Sequence, residues 1–154
     1  MTIGTGAAIE FFGTQDTLGT SSAAVADAAF SIASDLSTWT NDDDAVSASV
    51  TLLANWTTTA PDANSSIALY LRLLDVVSTN DNPIPDANFQ HVYAGSFQLN
   101  DVTGAQYITI DIGLPNAYTS QQYEFYIQNN SGSTEALPAG WDIFVTPKAI
   151  GPHA

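Results

Sequence analysis

Across 154 residues the chain carries two basic side chains, Arg72 and Lys148, against sixteen acids, a formal net charge of −14. So few Lys and Arg residues cannot build the cationic patch that nucleic acid or an anionic bilayer requires, and the absence of cysteine excludes disulfides, thiolate-ligated zinc and thiol nucleophiles. The length fits one domain that hides roughly 70% of its extended-chain surface on folding, and 45% hydrophobic with 12% charged residues is a packed composition, not a disordered one.

Residues 1–22 carry four glycines and no sustained period, interrupted by the apolar knot Ile9-Glu10-Phe11-Phe12. Met1–Gly6 lack the basic flank and apolar stretch of a signal peptide. No run reaches the roughly 18–20 apolar residues of a membrane span. The expectation is therefore a chain neither secreted by a classical signal nor anchored in a membrane. The segment reads as an extended N-terminal arm with two uses. It lies as an edge strand on the domain's own sheet, or it docks on a neighbouring subunit through Ile9, Phe11 and Phe12, since exposed aromatics mark contacts.

The sandwich domain is expected over 23–148. Its first stretch, to Leu36, is a weak strand carrying Phe30 and Ile32, with an alanine-rich helix capped by Ser22 as the competitor. Period-2 alternation, the mark of a half-buried strand, then recurs. Val46, Ala48, Val50 and Leu52 share one face, as do Ile67, Leu69, Leu71 and Leu73, with Tyr70 and Arg72 opposite. Phe97 and Leu99, then Ile108, Ile110 and Ile112, continue the pattern. Tyr123, Phe125 and Ile127 follow, and Trp141, Ile143 and Val145 close the series. Turn chemistry separates the runs, as in Asn41-Asp42-Asp43-Asp44, Asn80-Asp81-Asn82-Pro83 and Asn129-Asn130-Ser131-Gly132. The prediction is all-β: a single antiparallel β-sandwich or jelly roll of seven or eight strands, with 149–154 as a C-terminal tail.

Residues able to carry chemistry are sparse. His91 lies in or beside a strand and His153 is next to last; neither has a second His or a Cys with which to form a catalytic set. Glu124, Asp111 and Asp142 occupy polar faces of different strands, and would form an acidic face if those strands were neighbours. Asp42–Asp44, and the loop with Asp81, Asn82, Asp86 and Asn88, offer oxygen ligands to calcium without the spacing of a known loop, so turn chemistry is the reading preferred. Trp39, Trp56 and Trp141, with Tyr70, Tyr93, Tyr107, Tyr118, Tyr123 and Tyr126, could supply a sugar-stacking platform, although Trp141 heads an alternating run and reads as core. The sequons at Asn55, Asn64 and Asn129 carry no weight without a secretory signal. No catalytic residue, cofactor or metal is expected.

One stretch is more specific. Tyr123–Gly132 leads to Leu137-Pro138-Ala139-Gly140-Trp141 and ends in Phe144-Val145-Thr146-Pro147-Lys148. With Ile67–Leu71 and the loop Pro83–Phe89, it resembles the small β-sandwich virion proteins of tailed bacteriophages over about Ala45–Lys148. The resemblance implies a non-enzymatic structural protein of the particle, assembled in the host cytoplasm. It would be a capsid decoration or cement protein on the major capsid protein or another virion protein, and a homo-oligomer, trimeric by analogy. The alternative is a tail or fibre module that binds a carbohydrate receptor.

Overall fold

The computed structural model describes residues 8–32, 35–75, 80–90, 92–115 and 120–152. His91, Tyr118 and His153 lie outside these residues. Nine strands and no helix are present among them: β1 (Ala8–Phe12), β2 (Asp16–Thr20), β3 (Trp39–Asn41), β4 (Ser47–Trp56), β5 (Ser66–Leu73), β6 (Tyr93–Gln98), β7 (Gly104–Gly113), β8 (Gln121–Asn130) and β9 (Asp142–Pro152). They form two antiparallel sheets. One has the order β1-β9-β4-β7, with β2 also on β9; the other is β3-β8-β5-β6. β2 pairs β9, β3 pairs β8, β4 pairs β7 and β5 pairs β6. The chain is thus one long hairpin, its tip at β5–β6. Further pairing of β4 with β9 and of β5 with β8 rolls it into two layers. That winding is a jelly roll, and the sandwich expected from alternation is present.

The inward faces supply the core. Val50, Leu52 and Trp56 of β4 meet Ile67 and Leu69 of β5 and Tyr123 and Ile127 of β8, all fully buried. Each such aliphatic side chain contributes about 1.5–3 kcal/mol through the area removed from water. The alternation holds along β4 from Ala48, β5, β8 and β9; Val46 is the exception, lying just before β4 and largely exposed.

The N-terminal segment lies as edge strands on the domain's own sheet, the first of its two expected uses. β1 and β2 run in tandem along one edge of β9, with Phe12 opposite Lys148 and Asp16 opposite Val145. Between them the Gly13 N–H donates to the Pro147 carbonyl at 2.8 Å. A Cβ on Gly13 would meet Asp43 Oδ2 at 2.5 Å and Pro147 Cγ at 2.7 Å, so a larger residue here must displace both. β2 carries its own irregularity between Thr17 and Thr20, where Gly19 has φ +102°. Residues 8–12 and 16–20 are thus strands of the domain's own sheet. Residues 149–152, expected as part of a tail, are the end of β9 and the partner of β1. Pro147 reads as a stop in sequence, yet it is tolerated inside β9 because it faces the gap between β1 and β2.

The expected strand at Phe30 and Ile32 is also corrected, and the competing helix is absent there. Val25 and Phe30 make isolated bridges to Leu137 and Gln128. Ala28 sits at φ +61°, which breaks regular extension, and the Ser31 hydroxyl, in place of a backbone group, accepts the Ile127 N–H at 3.0 Å. Phe30 packs on Tyr70, ring centroids 5.3 Å apart, while Ile32 is exposed. This contact helps bury Ala68, Tyr70 and Tyr126 on the face of β5 and β8 that alternation assigned to solvent.

Loop carboxylates serve the backbone. Asn41 closes the triple-aspartate turn by donating to the Ala45 carbonyl at 2.9 Å and accepting its N–H at 3.0 Å. Glu135 accepts the N–H groups of Thr57, Thr58 and Thr59 and the Thr57 hydroxyl. These donors, the Thr59 amide first, lower its pKa from 4.5 to about 2. A lowered carboxylate pKa gives stability that is present above the unfolded value and lost as pH falls through the folded one. Glu135→Gln should therefore flatten the loss of stability between pH 4.5 and about 2, read by urea titration across that window; an unchanged acid limb would refute the role.

Candidate assembly surface

The outer face of the five-stranded sheet carries mainly hydroxyl-bearing side chains, with exposed apolar groups around them. β4 points Ser47, Ser49, Thr51 and Leu53 outward, because Ala48, Val50 and Leu52 point in. Register places Ser49 between Asp111 of β7 and Thr146 of β9, and Thr51 between Thr109 and Phe144. Thr51 and Thr109 share a hydroxyl hydrogen bond of 2.7 Å. Apolar groups stand around this Ser/Thr field: Phe12 is 62% exposed, Ile150 65% and Tyr107 68%.

Lys148 is the cation of this face. Its ammonium reaches Asp111 Oδ1 at 2.8 Å and Glu10 Oε1 at 3.9 Å, and lies 5.1 Å from the Phe12 ring centroid. Asp111 also accepts the Ser49 hydroxyl at 2.6 Å. The Lys148 hydrogen bond, then that of Ser49, holds the Asp111 carboxyl below its ordinary pKa. Lys148 therefore spans from the edge strand β1 to the far strand β7. Lys148→Met keeps the buried stem and removes the charge; we expect a cost of about 1–2 kcal/mol from a semi-exposed pair plus a cation–π contact. Amide exchange should quicken at residues 10–12 first, and protection unchanged there would contradict the linkage.

Phe11 and Phe12, expected at an interface, are brought to this edge and remain exposed, Phe11 at 48%. They point to opposite sides of β1: Phe12 over Lys148, and Phe11 with its ring against Gly151. Ile9 pairs through its backbone with Gly151. Ile150 completes the patch; it was missed in sequence because 149–154 read as a tail.

The other candidates separate. Glu124 lies on the opposite sheet, away from Asp111 and Asp142, so no three-carboxylate face forms. Its Oε2 accepts Arg72 at 2.8 Å and the Tyr126 hydroxyl at 2.8 Å. Burial, then the bond to Glu124, raises the Tyr126 pKa. Arg72 further contacts Asp81 at 3.2 Å and donates through Nε to the Asn82 carbonyl at 2.8 Å. Among the described residues no group of three or more His, Asp or Glu is placed to hold a metal ion. Trp39, Trp56 and Trp141 are all buried, at 4% exposure or less, and offer no stacking surface to a sugar; Tyr93 and Tyr107 are exposed. A cavity of about 670 Å³ lies where β5 and β6 meet the end of β7, walled mainly by Val46, Leu71, Leu73, Val92, Ala94 and Leu114.

The winding defines a jelly-roll protein. Comparison with protein-family models, with curated proteins and with solved structures gives no match.

Proposed function

We propose that this chain is a non-enzymatic structural protein of a bacteriophage particle, a decoration protein that docks on the head. The observation that carries the reading is the outer face of β1, β9, β4 and β7: a broad Ser/Thr field in which the buried Lys148 meets an exposed Asp111, with exposed Phe12, Ile150 and Tyr107 around it. A sheet face of this kind suits contact with another protein shell better than capture of a small substrate, which needs a concave site with convergent polar groups. The resemblance of Tyr123–Lys148 to small virion sandwich proteins supplies the particle as the setting, and the partner is the major capsid protein or another virion protein.

Docking is driven by the apolar rim. Phe12→Ser should weaken binding to heads lacking the protein by roughly tenfold to a hundredfold, the loss of one aromatic anchor. Raising salt from 50 to 500 mM should change binding less than threefold, because steering between charges is screened whereas apolar contact is not. Cryo-electron microscopy of particles should find stoichiometric copies on the head, and heads without density for the chain would end the proposal.

A further inference from the structure

The two sides of the sandwich are closed differently. On one side Trp39 of β3 donates from Nε1 to Asp16 Oδ2 of β2 at 2.9 Å, joining the sheets. On the other, β6 and β7 end their sheets, and Ile108 and Ile110 of β7 point inward yet stay only partly buried. The apolar cavity opens along this same side.

Edge strands are normally guarded against pairing by shortness, bulges, proline or charge. β3 has three residues, β2 carries a register shift on β9, and β5–β6 shifts between Leu69 and Tyr70. β1 has five residues and carries Glu10. Of these guards β7 has one, a single charge. It runs ten residues in unbroken register with β4, without proline or lysine, and its one charge, Asp111, is matched by Lys148.

We propose that β7 is a homodimer edge, pairing antiparallel with β7 of a second copy across a two-fold axis at Thr109. Antiparallel partners share a face, so an axis at Thr109 sets Tyr107 against Asp111 of the partner subunit and Ile108 against Ile110 of the partner subunit. The exposed phenol gains a carboxylate acceptor, the half-buried isoleucines gain cover, and the two five-stranded sheets become one. An isologous contact of this kind is self-complementary and closes at two subunits. The pairing does not rest on the particle role.

Sedimentation velocity on the purified full chain tests it. Wild type should show a concentration-dependent monomer–dimer equilibrium. Thr109→Lys, which sets like charges opposite each other at the axis, should raise the dissociation constant by at least roughly thirtyfold. Thr109→Val loses the same hydroxyl bond to Thr51 and should leave it within threefold, as should Phe12→Ser. The chain has no cysteine, so Thr109→Cys reports directly. Opposed strand positions lie within disulfide reach, and mild oxidation should give covalent dimers, whereas Thr51→Cys one strand inward should not. A wild type monomeric at about 100 μM, a closed trimer, or an association that Thr109→Lys leaves unchanged would each overturn the proposal.

Discussion

Arg72→Met is expected to lower stability by about 2–4 kcal/mol, measured by urea unfolding at pH 7. Arg72 and Glu124 side chains are 16% and 19% exposed, so removing the cation leaves a largely desolvated carboxylate beside the Tyr126 hydroxyl. Removing one partner of a buried pair costs about 3–5 kcal/mol, and residual solvent access reduces that here. Arg72 also anchors the segment at Asp81 and Asn82, which borders the cavity through Asn82. Exchange of amides 80–82 should therefore rise with the global loss. The double variant Arg72→Met/Glu124→Gln should recover part of the stability, because the stranded charge is gone. A single variant within 0.5 kcal/mol of wild type would show that the cluster is not an internal support.

Trp141→Ala should cost about 3–5 kcal/mol, the range for a truncated core tryptophan. That is a large share of the roughly 5–15 kcal/mol available to a domain. The side chain is 1% exposed, and its Nε1 donates to the Ala23 carbonyl at 3.1 Å. Around it the Ser21 N–H donates to the Trp141 carbonyl at 3.0 Å and Gly140 N–H to the Ser21 carbonyl at 2.8 Å. The indole thus holds the chain leaving β2 against the start of β9. Trp141→Phe keeps most of the apolar volume and should cost about 1–2 kcal/mol for the lost hydrogen bond and partial void. Equal costs for the two variants, read by thermal or urea midpoints, would mean that packing volume is not what Trp141 supplies.

Much of the fold is legible in order of residues. Alternation along Ala48–Leu52, Ile67–Leu73, Tyr123–Ile127 and Trp141–Val145 places each run on a strand and names its inward face, since a pleated strand has period 2. Turn chemistry is read correctly in the loop of Asp86, whose carboxylate accepts the N–H groups of Asn88 and Phe89. The exposed pair Phe11–Phe12 is also visible as apolar residues in a polar, glycine-containing context. Other features carry no local signal. Tyr70 and Tyr126 look solvent-facing, and Tyr70 is covered by Phe30 and Tyr93, which arrive from other parts of the chain. Glu135 is an unremarkable loop residue until Thr57–Thr59 turn three amides toward it.

What sequence by itself determined is the class of object: an all-β, cysteine-free, strongly acidic chain whose two cations cannot form a polyanion site. Those conclusions need only counts and period, which are local properties. The tertiary structure alone decided that residues 8–12 and 148–152 are partners. It also decided that Lys148 and Arg72 each bind two carboxylates from different segments, and that β7 ends its sheet among the described residues. The physical reason is common to all three. Strand pairing and ion pairing bring together residues from separate segments of the chain, and alternation states which face a residue occupies without stating which strand lies beside it.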